Sequence, residues 1–203
     1  MQIMVDCEIL LYVVLITDDA DFTKFYFNKN ENERRVMAQK IVEIADLKTG
    51  GKNDELVTYA LGSCVGICMY DERLHIGGLL HAMLPDAYAW SMEHMDGRRD
   101  MCPERYVNTG IERLYKTLCV RGADSGNLKV KIIGGANMFG FDFSDKNMDI
   151  GTQNVIQSKR ILSEMGIPVV AQMTGGMVGR TIKFYPGDAR VEISATDGTK
   201  HII

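Results

Sequence analysis

The clearest hydrophobic pattern lies between Cys64 and Tyr70, where large apolar side chains recur at Val65, Ile67 and Met69. A period of two is typical of a β-strand, in which alternate side chains point to opposite faces. Cys64 is therefore predicted to lie on the face that does not carry these large apolar side chains.

A second apolar run, from Ile76 to Leu84, follows a short polar stretch, and the two runs are predicted to pair as an antiparallel hairpin. In a hairpin the numbers of opposed residues add to a constant. A turn centred between Glu72 and Arg73 therefore places Cys64 opposite His81. Directly opposed residues hold their β-carbons about 4.5 to 5.5 Å apart, so the spacing predicts a Cys/His pair on one face.

The remaining pattern predicts one α/β unit in which helices alternate with short strands. The first predicted helix begins at Pro103, extends to about Val120 and is followed by Gly122. Its buried face is predicted to carry Val107, Ile111, Leu114 and Leu118. A second helix is predicted at Asn154 to Met165, and strands at Leu128 to Ile133, Val169 to Met173, Arg180 to Phe184 and Arg190 to Ser194.

Composition favours an intracellular protein of one domain. With 203 residues, 46% hydrophobic residues and a formal net charge of −4, the chain can bury a full core and has no basic excess, so nucleic-acid binding is not expected. Five cysteines without framework spacing indicate reduced thiols in the cytoplasm. The apolar run from Ile9 to Ile16 is too short to span a bilayer, so membrane insertion is not expected.

The segment around Cys64 has the residue types of a nucleophilic site. A thiol facing an imidazole can transfer its proton, and the resulting thiolate attacks carbonyl carbon. Gly62 is the expected hinge of a sharp turn, in which the backbone N–H groups near Ser63 and Cys64 are candidate donors to an oxyanion. Thr58, on the strand entering the turn, is the candidate that holds the second imidazole nitrogen of His81 in the productive tautomer.

Two alternatives compete with catalysis at the level of the residues. Free cysteines are among the most buried residue types, and we interpret Cys68 as a structural residue of this kind. A zinc-binding module built from Cys64, Cys68, His75 and His81 would have suitable ligand types. Against zinc, paired strands project His75 and Cys68 at other levels of the sheet than the Cys64 and His81 pair.

These residues resemble the signature of the CheD family, the chemoreceptor glutamine deamidases of bacterial and archaeal chemotaxis. That signature comprises Thr-x-x-Leu-Gly-Ser-Cys, an Asp after the strand, and Gly-Gly-x-x-His-x-Met-Leu-Pro. The chain carries it as Thr58, Leu61, Gly62, Ser63, Cys64, Asp71, Gly77, Gly78, His81, Met83, Leu84 and Pro85. The resemblance continues through Ile133 to Phe139, Ile150 to Asn154 and Thr174 to Arg180. The ordered set of four motifs is far more specific than any one glycine pair.

The resemblance implies a catalytic triad of Cys64, His81 and Thr58 that hydrolyses glutamine side-chain amides in proteins, with no metal and no organic cofactor. It also implies a mixed fold of packed β-sheets with flanking helices, similar to the cytotoxic necrotizing toxin deamidases. The implied substrates are the cytoplasmic helices of methyl-accepting chemoreceptors. Members of the family also bind the CheC phosphatase, and some are credited with glutamate methylesterase activity. A CheC-binding adaptor with little turnover is the alternative function.

The Asn137-Met138-Phe139 turn is the candidate contact for such a partner, since exposed apolar side chains favour binding.

Met37 opens a segment that resembles the ordinary start of the family. A single domain is therefore expected over residues 37 to 203. Residues 1 to 36 are expected to be an extension or a misassigned start that adds nothing to catalysis.

Overall fold

The computed structural model describes residues 13–15, 23–27, 36–88, 102–137 and 149–203. These residues form two β-sheets and two α-helices. The strands are β1 (Val13–Leu15), β2 (Thr23–Phe27), β3 (Val36–Ile41), β4 (Asp46–Gly50), β5 (Asp54–Leu61), β6 (Val65–Asp71), β7 (Ile76–Ala82), β8 (Leu128–Gly134), β9 (Val169–Thr174), β10 (Arg180–Tyr185), β11 (Arg190–Ala195) and β12 (Lys200–Ile202). The helices are α1 (Val107–Val120) and α2 (Ile150–Glu164), with short 3₁₀ turns at Pro103–Arg105 and Ser125–Asn127.

Both sheets are mixed. The seven-stranded sheet has the order β1-β2-β3-β5-β10-β11-β12, and the five-stranded sheet has the order β4-β7-β6-β8-β9. Strands β3 and β5 pair in parallel, as do β8 and β9, and the other neighbours are antiparallel. The predicted class of packed mixed sheets with flanking helices is confirmed.

Strand β6 is buried along its whole length because it has a hydrophobic layer on each face. Val65, Ile67 and Met69 pack in the core that both helices share with the five-stranded sheet. Cys68 and Tyr70 pack on the other face, in the core between the two sheets. Alternate side chains of β6 therefore pack in two different cores. The face that continues from Cys64 points toward the seven-stranded sheet.

The first predicted helix is confirmed in its buried face and its end, but it begins at Val107, because Pro103–Arg105 form a separate 3₁₀ turn, and the second helix begins earlier than predicted. Helix α1 buries the four apolar residues expected from its periodicity, Val107, Ile111, Leu114 and Leu118. Helix α2 begins at Ile150 and not at Asn154, because Asp149 caps it by accepting hydrogen bonds from the N–H groups of Gly151 and Thr152. Asn154 consequently lies inside the helix and near its beginning.

The hairpin of β6 and β7 forms as predicted, but its register differs from the prediction by two residues. His81 pairs with Gly66, and Cys64 lies just before the first residue of β6, so the two are not directly opposed. A shift of two residues leaves every side chain on its predicted face, whereas a shift of one would have reversed the faces. Cys64 and His81 are therefore diagonal neighbours, which are about 7 to 8 Å apart along an ideal ladder.

The turn between these strands explains the register. The Asp71 carboxylate accepts hydrogen bonds from the backbone N–H groups of Arg73 and Leu74, at 2.9 and 3.3 Å, and His75 takes a positive φ of 54°. Asp71 pairs with Ile76, so these contacts centre the turn one residue later than predicted. An Asp that binds the backbone two residues later is a known turn former, and this was the signal available in the sequence.

The N-terminal strands extend the seven-stranded sheet at one edge. Strand β2 pairs with β3 and strand β1 pairs with β2, both antiparallel. The candidate site residues lie on β5, on β7 and in the turn before β6, all of which come after β1 and β2 in the sequence. The expectation that residues 1–36 add nothing to catalysis stays a prediction. In the described part of the chain, no helix is both long and apolar enough to cross a membrane.

Candidate active site

A β-bulge in strand β5 places Thr58 in the interior. Thr58 pairs with Ile182 and Leu61 pairs with Arg180, so β5 has one residue more than β10 between these pairs. Ala60 takes a φ of 57° at this point. In a regular strand, residues three apart point to opposite faces, yet Thr58 and Leu61 are both completely buried. The bulge therefore lets Leu61 fill the core while Thr58 reaches the other sheet.

Thr58 fixes the tautomer of His81. Its hydroxyl donates to the backbone carbonyl of Val42 at 2.7 Å, and Nδ1 of His81 lies 2.7 Å from the same oxygen. A hydroxyl has only one proton to donate, and Thr58 donates it to the Val42 carbonyl. The Thr58 oxygen can therefore only accept from His81, so Nδ1 carries a proton and donates a hydrogen bond to Thr58. The predicted contact between Thr58 and His81 is confirmed, and Nε2 of His81 is left with its lone pair free.

Nε2 of His81 is in the protonation state that a general base needs. The ring is completely buried, and among the described residues Nε2 has no hydrogen-bond partner. Burial disfavours the imidazolium and lowers the pKa of His81 to about 4. The imidazole is therefore neutral at physiological pH and able to accept a proton.

Cys64 lies in the turn between β5 and β6 and is partly exposed. Burial raises the pKa of its thiol, and a hydrogen bond from its own backbone N–H partly offsets that rise. Taken with the lowered pKa of His81, this favours a neutral thiol and a neutral imidazole. Burial of the two groups therefore disfavours a resting pair of thiolate and imidazolium.

Three consecutive carbonyl groups of this turn are held by hydrogen bonds. The carbonyl of Gly62 accepts from the N–H of Ala136 at 2.8 Å, and that of Cys64 accepts from Gly135 at 2.8 Å. The carbonyl of Ser63 accepts from Nδ2 of Asn154 at 2.9 Å. Within the part of the chain described, the N–H groups of Ser63 and Cys64 donate to no other residue. The turn thus keeps available the two donors that the sequence had suggested for an oxyanion.

Glycines allow the backbone after β8 to approach this turn. A β-carbon on Gly134 would lie 2.3 Å from the carbonyl oxygen of Cys64, and Gly134 has a φ of 106°. A β-carbon on Gly135 would lie 2.4 Å from Val155 and 2.8 Å from the carbonyl oxygen of Gly151. No side chain fits at either position, so these two glycines let their backbone lie against the Cys64 turn and helix α2.

The Thr174 to Arg180 motif supports the same glycine segment. Nη2 of Arg180 donates to the carbonyl of Gly175 at 2.8 Å, and the N–H of Gly175 donates to the carbonyl of Gly134 at 2.9 Å. Arg180 is 7% exposed, and burial lowers the pKa of its guanidinium. These contacts link β10 to the Cys64 turn through two backbone segments.

Of the residues suggested for partner binding, only Asn137 belongs to the described part of the chain. Its N–H donates to the carbonyl of Gly176 at 2.8 Å. Met138 and Phe139 lie outside the described residues, so the suggested contact stays a prediction.

The four residues of the alternative zinc module do not form a metal site. Among the described residues, no three His, Cys, Asp or Glu side chains cluster in a way that could hold a metal ion. Cys68 is completely buried in the core between the sheets, and Nδ1 of exposed His75 lies 2.6 Å from the carbonyl oxygen of Gly187. The structural interpretation of Cys68 is the one that its burial favours.

Asn154 is the site residue that sequence reasoning missed. Asn154 ends the Ile150 to Asn154 motif, but the sequence analysis places it at the first position of a helix, where its side chain has no predicted contact with the Cys64 segment. Asp149 was the available signal, because an Asp before a polar turn and an apolar face is a typical N-cap. A helix starting there places Asn154 in its second turn, where it reaches the Cys64 segment.

The chain is similar to a described protein family and to several named proteins. The family model described as CheD chemotactic sensory transduction matches residues 83–195. A protein of Clostridium acetobutylicum named probable chemoreceptor glutamine deamidase CheD is 39% identical over 161 residues, which cover 79% of this chain and 93% of that protein. A protein of the same name from Caldanaerobacter subterraneus is 39% identical over 169 residues, covering 82% of this chain and 100% of that protein.

The chemoreceptor glutamine deamidase CheD of Bacillus licheniformis is 39% identical over 152 residues, which cover 75% of this chain and 87% of that protein. The similarity extends over most of the chain and accompanies two packed mixed sheets with a buried Thr58 and His81 pair next to the Cys64 turn. The chain belongs to the CheD family.

Proposed function

We propose that this chain is a protein-glutamine deamidase that converts selected glutamines of methyl-accepting chemoreceptors to glutamates. The observation that carries the proposal is the bond between Thr58 and His81, which leaves Nε2 of a neutral imidazole without a partner among the described residues, on the face shared with Cys64. The names of the relatives supply the substrate class.

The first half of the reaction acylates Cys64. Nε2 of His81 takes the proton of the thiol while Sγ forms a bond to the carboxamide carbon, and the carbonyl oxygen becomes an oxyanion. The N–H groups of Ser63 and Cys64, which donate to no other described residue, are the proposed donors to that oxyanion. The imidazolium then protonates the amide nitrogen, the C–N bond breaks, ammonia leaves and a thioester remains.

The second half regenerates the enzyme. His81 takes a proton from water, whose oxygen attacks the thioester carbon, and the bond between carbon and Sγ breaks. The thiolate takes that proton back from His81, and the side chain leaves as glutamic acid, which loses its proton to solvent and becomes glutamate. The thiol proton that left with ammonia is thereby replaced by one from water, so the enzyme returns to its starting state with no oxidant or reductant.

Three finer properties belong to the same proposal. The thioester route accepts a glutamate methyl ester in place of the amide, with methanol leaving, and this would give the methylesterase activity. Binding of the CheC phosphatase over Asn137, Met138 and Phe139 would compete with the receptor. Since receptor glutamines that become methylatable lie on cytoplasmic helices, the protein would act in the cytoplasm.

The test measures the intact mass of a purified cytoplasmic receptor fragment after incubation with the protein. A gain of about one dalton per site with release of ammonia is expected, because deamidation exchanges NH₂ for OH. Cys64→Ala and His81→Ala should abolish both signals. Cys68→Ala is the matched control, since it removes a buried cysteine from the same side of β6 and should retain activity.

Loss of the mass gain in Cys68→Ala as strongly as in Cys64→Ala would contradict the assignment of the nucleophile. No mass gain with a cognate receptor, together with tight binding to CheC, would identify an adaptor instead. A protein in which the mass gain survives Cys64→Ala would not use the thioester route.

A further inference from the structure

The Cys64 turn and the end of β7 are joined by one buried side chain. Nδ2 of Asn154 donates to the carbonyl of Ser63 at 2.9 Å and to the carbonyl of Met83 at 2.9 Å. Ser63 directly precedes Cys64, and Met83 is the second residue after His81. The two protons of one amide group therefore connect the segment of the nucleophile to the segment of the base.

This connection lies where the sheet itself provides none. The ladder between β6 and β7 ends at the pair of Val65 and Ala82, so Cys64 lies beyond the last paired residue. Past that point the backbone of β7 turns to another partner, since the N–H of Met83 donates to the carbonyl of Arg105 at 2.9 Å. Asn154 thus takes the place of a ladder hydrogen bond at the level of the sheet where Cys64 and His81 must meet.

Burying the Asn154 side chain is unfavourable, which indicates that its hydrogen bonds to Ser63 and Met83 have a function beyond filling the core. Asn154 is completely buried, and among the described residues its Oδ1 accepts no hydrogen bond. A buried unsatisfied carbonyl is unfavourable, so a residue that only filled the core would be better replaced by an apolar side chain. Since both carbonyl acceptors face Nδ2, the orientation of the amide follows from the bonds to Ser63 and Met83.

We infer that Asn154 is a positioning residue for the reaction, which sets the distance between Sγ of Cys64 and Nε2 of His81 by fixing Ser63 and Met83 to each other. The inference rests on the proposed deamidase function for its kinetic consequence. The structural consequence, that Asn154 holds the Cys64 turn in place, is independent of the proposed function.

The kinetic test compares Asn154→Ala with Ser158→Ala in the receptor assay. Ser158 is the matched control, because it is also completely buried on α2 and loses a hydrogen bond, from its Oγ to the carbonyl of Asn154, without touching the Cys64 turn. A displacement of reacting groups by about 1 Å costs about 100-fold in rate, so Asn154→Ala should lower kcat by about that factor with KM little changed. Ser158→Ala should keep kcat within about twofold, and an equal loss in the two variants would overturn the inference.

The pH dependence of Asn154→Asp distinguishes a positioning role from a packing role, because this variant keeps the size of the side chain and changes its ability to donate hydrogen bonds. Its carboxylate cannot donate to the two carbonyls, whereas its protonated acid can donate to one of them. Its kcat should therefore rise as pH falls from about 8 to about 5.5, while the wild type stays level over that range. A flat profile for Asn154→Asp at wild-type kcat would overturn the inference.

A readout that needs no substrate distinguishes the two proposals. The rate of alkylation of Cys64 by iodoacetamide, followed on its own peptide by mass spectrometry, should rise about tenfold at neutral pH in Asn154→Ala, because a loosened turn admits water to the thiol and relieves the burial that raises its pKa. Cys119 on α1 serves as the internal control and should not change. An unchanged rate at Cys64 would overturn the inference even if the wild type deamidates receptors.

If the wild type shows no deamidation, the proposed function fails, and the alkylation rates still decide whether Asn154 holds the turn. If both Asn154 variants fail to fold while Ser158→Ala folds, Asn154 is a determinant of folding and the positioning role is overturned.

Discussion

Thr58 and His81 belong to different sheets, and the hydrogen bond of 2.7 Å between Oγ1 and Nδ1 joins the two sheets at a buried point. Because the Thr58 hydroxyl donates to the carbonyl of Val42, the direction of this bond is determined without reference to any reaction. A neutral hydroxyl thereby orients the imidazole in the way a carboxylate does in a Ser-His-Asp triad, but without favouring the imidazolium.

Thr58→Val should lower kcat by about 100-fold, because the imidazole loses the acceptor that selects its tautomer. It should also cost about 1 to 3 kcal/mol of stability, since the Val42 carbonyl and Nδ1 of His81 are left unpaired. Thr58→Ser keeps the hydroxyl and should keep most of the activity. Receptor deamidation followed by intact mass checks both, and equal activity of the Val and Ser variants would contradict the role of the hydroxyl.

The pH profile of kcat/KM should stay level from about pH 8 to about pH 5 and decline only toward the pKa of His81, which burial lowers to about 4. The base must be neutral, and its lowered pKa extends the neutral form to acid pH. Initial rates of ammonia release across this range, with circular dichroism to monitor folding, measure the profile. An acidic limb centred near the ordinary His value of 6.5 would show that His81 is not the buried base.

Stability should fall with acid for the same reason. Since the pKa of His81 is lower in the folded than in the unfolded chain, the unfolded state binds more protons between these two values. The stabilisation is therefore complete above about pH 6.5 and lost as the pH falls toward about 4, by on the order of 3 kcal/mol. Urea unfolding of the wild type and of His81→Asn at about pH 7.5, 5.5 and 4.5 should show this loss in the wild type alone.

Gly134→Ala should abolish deamidation and destabilise the protein by more than about 2 kcal/mol, roughly the cost of the positive φ alone, because its β-carbon would displace the carbonyl of Cys64. Gly166→Ala is the control, since Gly166 also has a positive φ, of 69°, but a β-carbon there would meet no atom within 4 Å. That variant should lose about 1 to 2 kcal/mol and retain its activity. Thermal unfolding and the receptor assay check the pair, and similar activity in both variants would contradict the close-contact explanation.

Deletion of residues 1–36 should leave folding and deamidation intact. The deletion removes β1, β2 and Val36, the first residue of β3, while the part of β3 that pairs in parallel with β5, Ala38 to Ile41, remains. Circular dichroism, gel filtration and the receptor assay on the shortened chain test this expectation. A shortened chain that unfolds or loses turnover would make the two edge strands part of the catalytic domain.

The sequence by itself determined the local features of the site. The period of two from Cys64 to Tyr70 was enough to predict the strand and its two faces, since side-chain alternation is a local property of the backbone. The helical period likewise predicted the buried residues of α1. The signature residues indicate Thr58, Cys64 and His81 as the candidate site, and the contact of Thr58 with His81 is one that the sequence predicts.

Tertiary structure decided the register and the support of the site. The register was set by the carboxylate of Asp71 and the positive φ of His75, which the periodicity of the strands does not encode. Asn154 reaches Ser63 and Met83 across 91 and 71 residues of sequence. Such contacts depend on how helix α2 packs against the five-stranded sheet, and the spacing of residues along the sequence does not predict that packing. The sequence could therefore name the candidate reacting groups, while only the packing of the helices and sheets determined which contacts hold them together.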